Sequence, residues 1–428
     1  MQPSYGLHIY SYYKYYEVLK LNKSILKKYA RLAVETGAAV QKGQSVVVYA
    51  SVQQSEFALL VVEQAYKAGA ERVSVEWLSQ PLTKLHYRHR SVKSLSEVSP
   101  WFEEREKEYC RELPAVIHIL SDDPDGLKSV NKDKMQKVRQ NRYKVLKKYR
   151  DERENKYQWS IIAIPSKEWA RKVFPGERTS TAVNKLWQAI LQSVRVTEDN
   201  DPVEDWSKHN RSFDEKCSFL NGKRFDYLHF SSGNGTDFKC SLIPQGRWLG
   251  GGEKTLSGVY FNPNMPTEEV FTSPMKGQCE GRLVSTKPLS YQGQLIENFY
   301  IDFREGRAVS WDAEKGKDTL EKIITADENS SMLGELALVP HDSPISNSGI
   351  LFYNTLFDEN ASCHVALGSG YTNTLEGYEK MTKEECHALG INDSMVHVDF
   401  MIGATDLSVT GYKNGKAMQI FADGNWAI

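Results

Sequence analysis

A chain of 428 residues is longer than one hydrophobic core usually serves, so two domains are expected. Its 54 basic and 55 acidic residues leave a formal net charge of -1, which argues against a dedicated nucleic-acid surface, and the 40% hydrophobic content is that of a soluble globular protein. No stretch approaches the roughly 18 to 20 apolar residues of a membrane helix, the start has no apolar signal region, and the scattered cysteines include no CxxC pair, so a cytoplasmic protein with buried or free thiols is expected.

Residues 1–23 form a tyrosine-rich extension, with Tyr5, Tyr10, Tyr12, Tyr13, Tyr15 and Tyr16. It reads either as a contact surface for a partner or as an extension packed on its own domain. A helix starts at Asn22 or Ser24, with Ile25, Tyr29, Leu32 and Ala33 at helical spacing and Gly37 as its stop. QSVVVYASV (45–53) is a strand, SEFALLVVEQAYKAGA (55–70) a helix with Ser55 as N-cap, and ERVSVEWL (71–78) a second strand. This βαβ unit implies parallel pairing. Two more buried strands follow at 114–121 and 157–166, separated by a long charged helix at 132–156 whose mixed signs suit a solvated face. The region 24–215 is therefore an α/β domain with a mostly parallel sheet. It has no GxGxxG after its first strand and no phosphate-loop motif, and the later GGGEK (250–254) reads as a turn.

After a helical segment around 203–221 the pattern changes to short alternating runs separated by Gly, Pro and Asn, as in a largely antiparallel sheet. FREGRAVSW (303–311) is the clearest hairpin, turning at Glu305-Gly306, and two helices interrupt the strands at 316–328 and 381–390. Residues 216–428 are expected to be an α+β domain.

That second half carries the chemistry. In SMVHVDFMIG (394–403), His397 and Asp399 are two apart on a strand and so share a face, while Val398, Phe400 and Ile402 anchor the other. An imidazole beside a carboxylate is half of a zinc or cobalt site, or simply a structural hydrogen bond. In NMPTEEVFTSP (264–274), Glu268 and Glu269 would point to opposite sides of a strand, so only one should enter a site. Glu335 lies inside an apolar run, SSMLGELALVP, where a lone carboxylate is costly unless a cation, or a buried arginine or lysine, meets it. LFDENASCHVALGSGY (356–371) adds Asp358, Glu359, His364 and Tyr371. There is no HExxH, and a carboxylate-rich donor set with two histidines suits a pair of metals sharing a bridging carboxylate, about 3.5 to 4 Å apart.

The blocks NPNMPTEEVFTSP, LGELALVP, FYNTLFDENASCHVALG and HVDFMIG, with LKKYARLAVETGAAVQKGQSV in the first half, resemble the thermophilic aminopeptidase family, peptidase family M29, of the aminopeptidase T, aminopeptidase S and PepS type. The resemblance runs over roughly residues 24–428 and leaves out the tyrosine-rich start. It implies an enzyme that removes N-terminal residues from peptides with two divalent ions per chain (Zn2+, Co2+ or Mn2+). The implied ligands are Glu269, Glu335, His364, His397 and Asp399, with Glu335 shared between the ions. Tyr371 would meet the developing oxyanion; the candidates for general base are Glu359, which could instead bind a metal itself, and then Glu268. It also implies a homodimer acting on short peptides with a free N-terminus, with no nucleic-acid or membrane partner. The competing readings are another dinuclear hydrolase, of phosphate esters or other amides, and a non-catalytic protein with structural metals. Phosphate chemistry would favour arginines or lysines at the metals, and Arg282, Arg304 and Arg307 lie outside the ligand blocks.

Overall fold

The structure, a computed structural model, describes residues 22–291 and 293–428. Except for its last two residues, the tyrosine-rich segment expected at 1–23 lies outside them. The first strands form a four-stranded parallel sheet in the order Arg72–Leu78, Ser45–Ser51, Ala115–Leu120, Trp159–Ala163. Apolar β-branched strands in the middle of such a sheet are covered on both faces, and Val46, Val48 and Ile117 are at most 1% exposed. The helix Lys23–Leu32 starts on Asn22, whose side chain accepts from the Ile25 N–H, and packs Ile25, Tyr29 and Leu32 inward. The Tyr29 hydroxyl donates to Ala163 O at 2.9 Å, which satisfies a phenol that burial would otherwise strand.

The first helical run ends at Gly37, as expected, but its last turn, Ala33–Gly37, widens into π type. Gly37 also allows close packing, because a Cβ there would lie 2.7 Å from Ser160 Oγ. Punctuation differs from expectation at the next helix. Ser55 is inside the helix Ser55–Lys67, while the side chain of Ser51 caps the short turn before it. The charged helix Lys132–Arg153 buries only Val138 and Tyr149, and its charges meet acids on several elements: Lys147 reaches Asp151 at 2.7 Å and Arg153 reaches Glu106 at 2.7 Å. Lys383, from the second half, reaches Asp151 at 2.6 Å.

Among the described residues the second half holds two large antiparallel sheets and a two-stranded ladder, Glu253–Lys254 with Tyr260–Phe261. The larger has nine strands and includes the expected hairpin, Gln294–Arg304 with Arg307–Lys315. Its turn needs positive φ at both corners, 51° at Glu305 and 73° at Gly306, the conformation that twists a two-residue hairpin correctly. Cys240 and Cys279 face each other across two neighbouring strands and form a disulfide, so they are not the free thiols expected; direct cross-strand register places their Cα atoms 4.3 Å apart. The smaller sheet has five strands in the order His397–Met401, His364–Gly368, Leu333–Leu338, Val270–Thr272, Leu249–Gly250. The helix Pro202–Lys223 runs across residue 215, where a domain boundary is expected.

The two halves are joined at the smaller sheet. Ile161, on the edge strand of the parallel sheet, donates its N–H to Pro263 O at 2.7 Å and accepts from Met265 N at 3.0 Å, so the segment before Glu268 continues that edge. Phe352, Leu356, Phe357 and Ala361, just ahead of His364, are buried in the core of the first half, and Trp169 Nε1 donates to Phe352 O at 2.5 Å. No helix among the described residues is long and apolar enough to cross a membrane.

Candidate metal centre

Five side chains converge on one face of the smaller sheet. Leu333–Leu338 is buried at all six positions, so Glu335, 4% exposed, has a carboxylate in the interior. Gly334 permits this, since a Cβ there would meet Ser369 O at 2.2 Å. The next strand, His364–Gly368, pairs with Leu333–Leu338 on one side and His397–Met401 on the other, with Ala366 opposite Asp399 and Gly368 opposite His397. Alternation then brings His397 and Asp399 to the same face, as their spacing predicts. Glu269 enters from the residue before Val270–Thr272, whose Val270 pairs with Leu338.

The donor atoms fall into two groups of three, Glu269 with Glu335 and His364, and Glu335 with His397 and Asp399, each within 4.8 Å. Glu335 belongs to both. His364 Nε2 is 3.1 Å from Glu269 Oε2, and His397 Nε2 is 3.1 Å from Glu335 Oε2 and 3.3 Å from Asp399 Oδ1. The far nitrogen of each ring faces a backbone carbonyl, Nδ1 of His364 on Ser362 O at 3.0 Å and Nδ1 of His397 on Ser369 O at 2.8 Å. A ring that donates from Nδ1 keeps its Nε2 lone pair free, the arrangement of a metal-ligating histidine. Tyr371, 39% exposed at the cavity mouth, turns its hydroxyl inward to 3.1 Å from His397 Nε2.

The charges do not balance without a cation. The cavity, of about 100 Å³, is lined by Glu253, Glu269, Glu335, Glu359 and Asp399, and by no arginine or lysine among the described residues. Burial pushes Glu335 and Glu359 upward from the usual carboxylate range, Glu359 well above it with Asp399 and Glu269 adding to the effect. Burial raises Glu253 to about 7, with Glu269 adding to it. Burial alone would lower His364, but Glu269, Glu335 and Asp399 outweigh it and carry the imidazole up to about 10. His397 is held well above its ordinary value in the same way, by Asp399 and Glu335 against burial. Burial also raises the Tyr371 phenol, so it is neutral at pH 7. One nitrogen of His397 cannot serve Glu335, Asp399 and Tyr371 together, and Asp399 Oδ1 is buried with no hydrogen bond although that nitrogen is 3.3 Å away. Divalent ions answer both the orphaned oxygen and the surplus of carboxylates, and three carboxylates with two imidazoles are a fitting donor set for them.

Two expected residues take other places. Glu268 does not line the cavity: its carboxylate is 2.6 Å from Arg195 Nη2, and its own N–H donates to Asn360 Oδ1 at 2.7 Å. An acid held by a guanidinium is not a free proton acceptor, which removes Glu268 as a base; Arg195 was not singled out from sequence because nothing local marks it. Asp358 accepts the N–H groups of Phe352 and Asn354, at 2.8 and 3.0 Å, and so shapes the loop ahead of His364. Glu359 does line the cavity and belongs to neither ligand group. The opposite correction concerns GGGEK: its three glycines and Glu253 wall the cavity, together with Trp159 of the parallel sheet.

The family described as thermophilic metalloprotease (M29) matches residues 22–426. Aminopeptidase AmpS of Bacillus subtilis (strain 168) is 44% identical over 405 residues, 94% of this chain and 98% of that protein. Aminopeptidase T of Thermus thermophilus is 37% identical over 411 residues, 95% of this chain and 99% of that protein. The solved structure of wild-type AmpT from Thermus thermophilus superposes with a TM-score of 0.87 at 36% identity, covering 95% of this chain and all of that one. With the family matched along nearly its whole length and a cluster of side chains that could hold metal, this chain belongs to the M29 thermophilic metalloproteases, hydrolases of the peptide bond.

Proposed function

We propose that the chain removes N-terminal residues from peptides at a pair of divalent ions, one held by Glu269, Glu335 and His364 and the other by Glu335, His397 and Asp399. The observation that carries this reading is the sharing of Glu335 by two three-residue groups in one buried cavity. Zn2+, Co2+ and Mn2+ all suit the donors. Such a pair would supply Lewis acidity at the scissile carbonyl and an acidified water. The Tyr371 hydroxyl, neutral and pointed at the cluster, donates to the oxyanion as it develops. Glu359, inside the cavity and outside the ligand groups, takes the proton of the attacking water and passes it to the leaving amine. A homodimer, a cytoplasmic location, and a division into domains 24–215 and 216–428 belong to the same reading.

Metal analysis with activity tests it. About two divalent ions per chain are expected, with hydrolysis of leucyl p-nitroanilide lost in chelator and restored by Co2+ or Zn2+. Full activity in excess chelator would sink the proposal. A phosphate-ester hydrolase is disfavoured by the lack of arginine and lysine among the cavity's described residues, and Arg282 is engaged elsewhere, 2.7 Å from Asp302. Turnover of p-nitrophenyl phosphate without turnover of the peptide analogue would reverse that preference.

A further inference from the structure

Glu253 stands where the metal cavity opens into a larger one of about 590 Å³, and Trp159, Glu253 and Tyr371 line both. Its backbone is held firmly. It pairs with Phe261 in a two-stranded ladder and follows three glycines, of which Gly251 has φ +74° and Gly252 would put a Cβ 2.3 Å from Tyr260 Cζ. Asn373 lines the outer cavity two residues beyond Tyr371, in the 3₁₀ turn Thr372–Thr374. Arg247 pins that turn: its N–H donates to Thr374 O at 2.7 Å and its Nε to Asn373 O at 2.8 Å. Its guanidinium also stacks over Tyr378, 5.2 Å from the ring centre.

The Asn373 amide N–H donates to the Glu253 carboxylate, and Arg247 lies near enough to act on its charge. Asn373 Oδ1 is buried without a hydrogen-bond partner. The mouth of the metal cavity therefore has a carboxylate held by an amide whose oxygen, on the amide's other side, is an unused acceptor, both within reach of Tyr371's own loop. A compact group with several N–H donors and a positive charge is the chemical complement, and a primary ammonium with three donors meets it.

On the aminopeptidase reading above, we propose that Glu253 and Asn373 bind the free α-ammonium group of the substrate, setting the N-terminal residue so that its carbonyl lies at Tyr371 and the metal ligands. Neither residue belongs to a metal-ligand group, so they act as specificity-determining contacts and the chemistry stays with the cluster. A charge-assisted contact of this kind is worth about 10- to 100-fold in binding.

The test compares the metal-loaded full chain with its Glu253→Gln and Asn373→Leu variants. Substrates are leucyl and arginyl p-nitroanilide and the analogue of the former with a hydroxyl in place of the α-amine. Bound metal is counted in every preparation. For Glu253→Gln, KM for leucyl p-nitroanilide is expected to rise about 10- to 100-fold with kcat held within a few-fold. The hydroxyl analogue should be turned over equally by both proteins. Asn373→Leu should shift KM in the same direction by a smaller factor, and it keeps the proposal testable if Glu253→Gln does not fold. Unchanged kcat/KM in both variants overturns the assignment. So does an effect confined to the arginyl substrate, which would mean that Glu253 reads a side-chain cation. Loss of metal in Glu253→Gln overturns it too, by making Glu253 a ligand. If the wild type hydrolyses none of these substrates while holding its metals, the aminopeptidase reading itself fails, a result separate from all of these.

Discussion

Two strands of the molecule are alike in burial and opposite in content. SVVVYAS (Ser45–Ser51), at the centre of the parallel sheet, buries Val46, Val47, Val48 and Ala50 among aliphatic neighbours and needs nothing beyond packing. LGELAL (Leu333–Leu338), at the centre of the five-stranded sheet, is buried at every position yet carries Glu335. The first strand is complete as a folded object. The second is complete only with positive charge, and its own neighbours add more acid: Glu269, Glu359 and Asp399. A core that cannot neutralise itself is a binding site, and the two regions should respond to different insults.

The largest contrast is expected from Glu335→Ala. Removing the shared carboxylate should cut kcat/KM on the order of 10³-fold and leave fewer than the full number of ions bound. Retention of both activity and metal in that variant would dissolve the distinction between the strands. Tyr371→Phe should sharpen it, lowering kcat about 10²-fold while metal content, measured on the same sample, stays at the wild-type level. In the parallel sheet Ile117→Ala, at a fully buried position, should cost about 2 to 3 kcal/mol of stability in denaturant titration. Its kcat under native conditions should be unchanged; a proportional fall in metal binding would show that the regions are not separable.

The smallest effect is a dependence on pH. Burial, with Arg195 adding to it, pushes His209 down to about 3, and its Nε2 faces Thr267 O at 2.9 Å. Between that value and the ordinary 6.5 the unfolded chain binds a proton that the folded chain refuses. The contribution of His209 is therefore present above pH 6.5 and is lost as the pH falls, by up to about 1.4 kcal/mol per unit. Stability measured at pH 7.5 and 5.5 should differ less in His209→Gln than in the wild type; an equal difference would remove His209 as the cause.

The parts of this architecture that follow local rules were legible. The βαβ unit, the long solvated helix and the Glu305-Gly306 hairpin follow from periodicity and turn chemistry, and the spacing of His397 and Asp399 places both on one face. Glu335 announced itself as an acid in an apolar run. Register between distant segments leaves no such mark. Nothing near Glu268 foretells Arg195, so which of two adjacent glutamates faces inward could be argued but the fate of the other could not. Cys240 and Cys279 meet only because two strands 39 residues apart in sequence align. GGGEK looks like a turn because three glycines do make one; that the turn walls the candidate metal cavity depends on Phe213 and the parallel sheet, both remote from it in sequence.

The bridge from Ile161 to the segment before Glu268, and the bond from Trp169 to Phe352 ahead of His364, give the site an uneven suspension. Glu269 and His364 hang from the first half of the molecule as much as from the second, whereas His397 and Asp399 come on a strand at the far edge of the five-stranded sheet. The strand of His364 is paired on one side with the strand of Glu335 and on the other with that of His397 and Asp399, so both groups of candidate ligands are bound into one ladder and disturbing the contact between the halves should disturb the whole cluster at once.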